Sequence, residues 1–286
     1  MRYWYYPGCS LHSTAREYDL SARSACQLLG IELQELDDWN CCGASSVHGL
    51  YQHEAALALP ARNVMLAQGE PLDMAVPCAD CFYHCVAADV RLRSDAAFRH
   101  NMERLTNRTY VGDGRPRALL DVLGNDVPVE EIQKRVVTPL TDLRPAVYYG
   151  CLLVRPPDLV GRWDDPEHPL VMGRLLEAIG SRPVKWSYTV ECCGASLAIG
   201  RSDVVARLVG RIVGGAVEAG ANCIVTACPM CQANLDSRQG ARSTPLPIFY
   251  FTELLAWSLG AGDVVKWLRR HLVKPPQALM AAAIMR

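Results

Sequence analysis

Cys41-Cys42-Gly43-Ala44-Ser45 returns letter for letter as Cys192-Cys193-Gly194-Ala195-Ser196, and this doubled pentapeptide decides how the chain is built. Around it the same order of cysteines runs twice: Cys9, Cys41-Cys42 and Cys78-x-x-Cys81, then Cys151, Cys192-Cys193 and Cys228-x-x-Cys231. Written as spacings, the first set is C-x31-CC-x35-C-x2-C and the second C-x40-CC-x34-C-x2-C. The flanks repeat as well, Tyr5-Tyr6-Pro7-Gly8-Cys9 against Tyr148-Tyr149-Gly150-Cys151. Five matched positions with matched surroundings mark an internal duplication. Cys26, Cys85 and Cys223 have no counterpart in the other half and read as buried small hydrophobes.

Working outward, a β-rich apolar run precedes the first cysteine of each set, Tyr3 to Tyr6 and Ala146 to Tyr149. Another precedes each C-x-x-C, Leu72 to Val76 and Cys223 to Thr226. Helical periodicity follows at Ala15 to Leu29, Glu54 to Gln68 and Asp203 to Ala219, with Ser13, Ser45 and Ser196 as neighbours of the N-caps. Strand, turn with cysteine, then helix is the repeating unit. The expected fold is therefore α/β: two similar halves, each with a mostly parallel sheet and its cysteines at the strand C-terminal ends. The halves are expected at 1–110 and 145–286. A connection at 111–144, with helical stretches Ala118 to Leu123 and Val129 to Val137, joins them.

Composition narrows the function. Twenty-nine basic and thirty acidic side chains leave a formal charge of −1 in no long single-sign block, which argues against a nucleic-acid partner. The N-terminus lacks the basic and apolar stretches of a secretory signal, and no run approaches the roughly 20 apolar residues of a membrane span. The apolar stretch Ala278 to Met285 is too short to cross a bilayer. Thirteen cysteines in such a chain point to metal or redox chemistry in a reducing compartment, so a cytoplasmic location is expected.

Thiolates suit zinc, copper(I) and iron–sulfur clusters, and C-x-x-C alone fits any of these or a redox dithiol. A structural zinc site closes at four ligands, and an ordinary cluster also takes four. Each half here offers five. Adjacent cysteines in an extended strand would face opposite ways, so both can reach one centre only through a turn, for which Gly43 and Gly194 give the backbone freedom.

The stretches Tyr6-Pro7-Gly8-Cys9-Ser10, Asp38-Trp39-Asn40-Cys41-Cys42-Gly43-Ala44-Ser45, Tyr148-Tyr149-Gly150-Cys151-Leu152-Leu153-Val154-Arg155-Pro156-Pro157 and Ala227-Cys228-Pro229-Met230-Cys231-Gln232-Ala233-Asn234-Leu235 resemble the catalytic B subunit of heterodisulfide reductase, a cysteine-rich CCG-domain family. The resemblance runs from the first strand to about Glu253. It implies two non-cubane [4Fe–4S] clusters, the first held by Cys9, Cys41, Cys42, Cys78 and Cys81, the second by Cys151, Cys192, Cys193, Cys228 and Cys231. It also implies an enzyme component that reduces or forms a disulfide between the clusters. The implied partners are a ferredoxin-like C subunit, a flavin-containing A subunit and a small-molecule or protein-bound disulfide or dithiol. Within the chain neither a G-x-G-x-x-G nor a phosphate loop is present, so electrons must come from a partner.

His12, His48 and His84, each close in sequence to a cysteine, are the candidate catalytic proton donors, against the plainer reading of structural histidines. Arg155 and Lys185 could meet an anionic substrate or be solvated surface charge. Trp39 and Trp186, each a few residues before a CCG, are expected to pack around the centres. Arg155 to Pro169 falls in the interval where the second half is longer and reads as a surface loop. Two rivals stay open: an electron-transfer component of a lactate, glycolate or glycerol-3-phosphate oxidising complex, which shares the CCG repeat, and a zinc-stabilised scaffold.

Overall fold

Strands with apolar side chains on both faces need cover on both faces, and Met74–Val76, Pro145–Tyr148, Cys223–Thr226 and Ile248–Tyr250 are all wholly buried. The computed structural model describes residues 1–44, 53–239 and 245–275, with only the backbone described for 53–55. His48, Ser45 and the apolar stretch Ala278 to Met285 lie outside the described residues.

In the first half, β1 (Arg2–Tyr5), β2 (Glu32–Glu35), β3 (Met74–Val76) and β4 (Pro116–Ala118) form one sheet in the order β2-β1-β3-β4. Every pairing is parallel, with Trp4 opposite Gln34 on one side and Met74 on the other. The second half forms its own parallel sheet, β5 (Pro145–Tyr148), β6 (Cys223–Thr226) and β7 (Ile248–Tyr250), in the order β5-β6-β7. Parallel neighbours need crossovers, which the helices between them provide. By position β5, β6 and β7 correspond to β1, β3 and β4. The expected α/β architecture of two parallel halves is present, and the cysteines follow the strand ends: Cys9 after β1, Cys78 after β3, Cys151 after β5 and Cys228 after β6. Strand β4, which completes the first sheet, falls within the stretch expected to connect the halves. Beyond it the chain turns helical through Leu119–Asp121, a π-helical turn at Val122–Asp126 and the helix Val129–Arg135.

The halves differ at one edge, where β2 has no counterpart among the described residues. The segment before the second CCG runs beside β5 but bonds to it only at its ends, Val184 N–H to Pro145 O (2.9 Å) and Tyr149 N–H to Thr189 O (2.8 Å). Between them the Trp186 indole donates to the Val147 carbonyl (2.9 Å), taking the acceptor that a ladder amide would use. Pro183, with no N–H to give, works against a strand as well.

Two helices, Arg16–Leu28 from the first half and Phe251–Ser258 from the second, pack against each other and join the halves into one continuous buried core. Their contact includes a buried hydroxyl pair, Ser21 with Thr252 at 2.7 Å, and the stacked rings of Tyr18 and Tyr250, 4.1 Å apart and within 8° of parallel. Beyond it Arg270 Nε reaches Glu17 at 2.8 Å. Cys26, Cys85 and Cys223 are fully buried in this core, as expected of apolar filler.

Candidate metal centre

Both C-x-x-C turns arise the same way: a buried strand ends, and its next residues become the N-terminus of a helix, Ala79–Ser94 after Cys78 and Pro229–Ser237 after Cys228. Such ends favour negative charge. Here the neighbouring sulfurs and burial outweigh that for Cys78, Cys81 and Cys231, which are held well above the ordinary thiol value, and only Cys228 is shifted toward the thiolate. The first cysteine of each set follows a glycine in the left-handed region, Gly8 at φ +73° and Gly150 at φ +70°. A Cβ on Gly8 would lie 2.9 Å from Cys81 Sγ, and one on Gly150 would lie 3.1 Å from Cys231 Sγ, so each glycine makes room for a sulfur of its own set. The turn that brings adjacent cysteines to one site is also present, with Gly43 at φ +75° and Gly194 at φ +78°. Their amides donate back to sulfur, Gly43 N–H to Cys41 at 3.4 Å and Gly194 N–H to Cys192 at 3.3 Å.

The sulfurs meet in matching pairs. Cys9 touches Cys41 at 3.5 Å, as Cys151 touches Cys192 in the other half. Cys42 touches Cys81 at 3.4 Å, and Cys193 touches Cys231 at 3.5 Å. Cys81 in turn contacts Cys78, and Cys231 contacts Cys228. The last two, Cys78 and Cys228, come near enough across the halves to bias each other's protonation. Each set thus has a buried floor, Cys42, Cys78 and Cys81 or Cys193, Cys228 and Cys231, with a more accessible rim at Cys9 and Cys41 or Cys151 and Cys192.

In touching thiols one sulfur keeps the proton and the other accepts it. Cys192 is lowered to about 6 by the Cys151 thiol and the Gly194 amide, against the effect of burial. Cys228 is held well below its ordinary value by the Cys231 and Cys78 thiols. Burial and the hydrogen bond to Cys9 push Cys41 up to about 11. All thirteen cysteines are free of disulfides.

One cavity, of about 70 Å³, is lined by all five cysteines of the second set together with Ala79 and Asp80 from the first half. That is several times the roughly 10–15 Å³ that admits one water. Among the described residues no three His, Cys, Asp or Glu side chains converge as a single chelated ion requires. Paired soft donors around a cavity, with amides and helix N-termini aimed at them, suit a polynuclear thiolate-bound centre better than a mononuclear ion.

The remaining sequence candidates are placed as follows. His12 is half-exposed, 3.1 Å from Glu35 and edge-on to Trp39. His84 is buried on the Ala79–Ser94 helix with Nε2 3.6 Å from Asp80 Oδ1. His48 lies outside the described residues. Trp39 and Trp186 sit one layer out, packing on Tyr6 (5.6 Å) and Tyr148 (6.3 Å). Arg155 is turned into its own loop, donating to Pro166 O (2.8 Å) and pairing with Glu167, while Asp164 of that loop accepts from Tyr149 at 2.7 Å. Lys185 lines a separate groove beside Trp186. Ser13 does not cap the following helix; its hydroxyl donates to Cys9 O instead.

Three features carry no plain mark in local sequence pattern. Tyr6 and Tyr148, each three residues before the first cysteine, donate to the carbonyl before the paired cysteines, Asn40 O at 2.8 Å and Glu191 O at 2.6 Å. The repeat itself held the signal for that pair. Asp80, inside the first C-x-x-C, borders the second cavity where Met230 is its own half's residue, and its charge acts on Cys42, Cys78 and Cys192. A buried pair, His271 Nε2 with Glu253 at 2.8 Å, sits behind Gln232, the neighbour of Cys231.

Comparison with known proteins agrees with the duplication. The family model for the cysteine-rich domain, CCG, matches residues 3–85 and again 145–236. The 8-methylmenaquinol:fumarate reductase membrane anchor subunit of Wolinella succinogenes is 30% identical over 263 residues, covering 90% of this chain and 91% of its own. The B subunit of the ferredoxin:CoB-CoM heterodisulfide reductase of Methanosarcina mazei is 26% identical over 264 residues, covering 88% of this chain and 87% of its own. A hypothetical protein from Helicobacter pylori of known crystal structure shares the fold, with a TM-score of 0.70 at 10% identity. That match covers 96% of this chain, which spans about half (52%) of the other. With both cysteine sets inside the matched segments, the chain belongs to the CCG cysteine-rich domain family, and heterodisulfide reductase B subunits are among its relatives.

Proposed function

We propose that the chain is an iron–sulfur component of a multi-subunit reductase, and that a disulfide is reduced or formed where its two cysteine sets meet. The observation that carries the reading is the cavity lined by all five cysteines of one set and by two residues of the other half. Cys9, Cys41, Cys42, Cys78 and Cys81 would hold one non-cubane [4Fe–4S] cluster, and Cys151, Cys192, Cys193, Cys228 and Cys231 the other. When bound, such clusters supply electrons one at a time, and a disulfide needs two.

The chain's own part is positioning and shielding. The buried cysteines at each floor exclude water, while the accessible rim leaves a way in from outside. His84 Nε2, directed at Asp80 on the cavity wall, is the described histidine best placed to carry a proton. His12, engaged with Glu35 and Trp39, is a weaker candidate. Electrons would arrive through a ferredoxin-like C subunit and a flavin-containing A subunit, in a cytoplasmic complex. The substrate is a small-molecule or protein-bound disulfide or dithiol.

A second reading has its own support. The 30% identical relative belongs to a quinol:fumarate reductase, which favours electron transfer with chemistry on another chain. That relative is described as a membrane anchor, whereas no helix among the described residues here is long and apolar enough to cross a membrane. Anaerobic reconstitution, iron and sulfide counting, and a disulfide assay with reduced viologen separate the readings. About eight irons per chain with disulfide turnover is expected. The same iron content without turnover selects electron transfer alone. Zinc with no acid-labile sulfide would overturn both.

A further inference from the structure

The two C-x-x-C turns meet at a single side chain. Tyr18 lies on the Arg16–Leu28 helix and is wholly buried. Its hydroxyl is 3.0 Å from the Pro77 carbonyl and 3.1 Å from the Ala227 carbonyl. These are corresponding residues, each immediately before the first cysteine of its C-x-x-C. One residue further on, Cys78 and Cys228 are near enough to bias each other's protonation, and the Ala79 backbone of the first half favours the charged form of Cys228 in the second. The ring is fixed from the second half, stacked on Tyr250 and edge-on to Phe251 at 6.4 Å.

Duplication yields two copies of any feature away from the axis relating the halves, as with Tyr6 and Tyr148. Gly30 and Gly180 both end helices in the left-handed conformation; aligning them puts His168 opposite Tyr18. The tyrosine thus has no twin, and a contact on the axis needs none.

We propose that Tyr18 is the positioning residue that holds the two C-x-x-C turns face to face and thereby sets the spacing of the two cysteine sets. Its hydroxyl has one proton to share between two carbonyls, so each turn is tied to the same point. Burial removes water as a substitute donor. If the sets hold clusters, a point that rests on the functional reading above, Tyr18 also sets how strongly the two centres interact.

Tyr18→Phe keeps the stack and removes only the hydroxyl. Ser21→Ala, one turn along the same helix, removes a buried bond to Thr252 across the same interface and one to the Tyr18 backbone carbonyl, leaving the Tyr18 hydroxyl and both turns untouched. Hydrogen exchange read by mass spectrometry on the metal-free chain compares peptides containing 78–82 and 228–232. Tyr18→Phe is expected to speed exchange roughly five- to tenfold in both turns together, while Ser21→Ala leaves both within about twofold. In iron-loaded protein Tyr18→Phe should retain its iron but show a weakened magnetic interaction between the centres by EPR. Faster exchange in one turn only, in neither, or equally in Ser21→Ala overturns the assignment. A wild type that takes up no iron would sink the functional reading instead, and the exchange result would still judge Tyr18.

Discussion

Gly8→Ala is a steric probe aimed at one cysteine. The new Cβ would sit 2.9 Å from Cys81 Sγ, whereas ordinary contact begins at 3.4 Å, so the sulfur must retreat by about 0.5 Å. Metal–ligand distances tolerate about 0.2 Å. The substitution also places a side chain at φ +73°, a backbone cost of about 1–2 kcal/mol, or a few degrees in Tm. Gly30→Ala separates the two effects: φ is +74° and nothing lies within 4 Å of the added Cβ. After anaerobic reconstitution, Gly8→Ala should hold about half the wild-type iron and sulfide and lose one cluster's EPR signal. Gly30→Ala should lose similar stability and keep all its iron. Full iron in Gly8→Ala, or equal iron loss in Gly30→Ala, would refute the placement of Cys81 in the first centre.

Other expectations follow from the same geometry. Cys85→Ala, one helical turn from Cys81 but buried as filler, should cost about 1 kcal/mol in denaturant unfolding and no iron, whereas Cys81→Ala should lose one centre. Tyr148→Phe should destabilise more than Tyr6→Phe, by about 1 kcal/mol against a few tenths. The Asn40 carbonyl keeps the Asn63 amide at 2.7 Å when Tyr6 is truncated, while no second donor reaches Glu191 O among the described residues; equal midpoints in urea would contradict this. Burial works against charge on His271, but the Glu253 carboxylate outweighs it and raises the imidazole to about 9, above the ordinary 6.5. The pair's contribution, on the order of 3 kcal/mol, is therefore full below about pH 6.5 and lost as pH climbs through about 9. Unfolding at pH 6 and pH 9.5 should show that loss in wild type and not in His271→Gln; parallel curves would count against it.

Much of this was legible in the chain itself. The doubled pentapeptide, the matched spacings and the apolar runs before each cysteine carry the duplication and the strand-turn-helix unit, because ligand spacing and strand burial are local properties that survive in sequence. β6 begins and ends at Cys223 and Thr226, where its apolar run does. For the edge strand that the second half lacks, local pattern offered only Pro183, because the other cause is the Trp186 indole capturing a carbonyl 39 positions away. Nor could it show that Asp80 borders the other half's cavity, or that the two C-x-x-C turns meet at Tyr18, whose two acceptors lie 59 and 209 positions along the chain. The sequence determined what each half is. How the halves face each other was decided by tertiary packing alone, because contacts across an internal axis depend on how two finished surfaces fit and leave no periodicity behind.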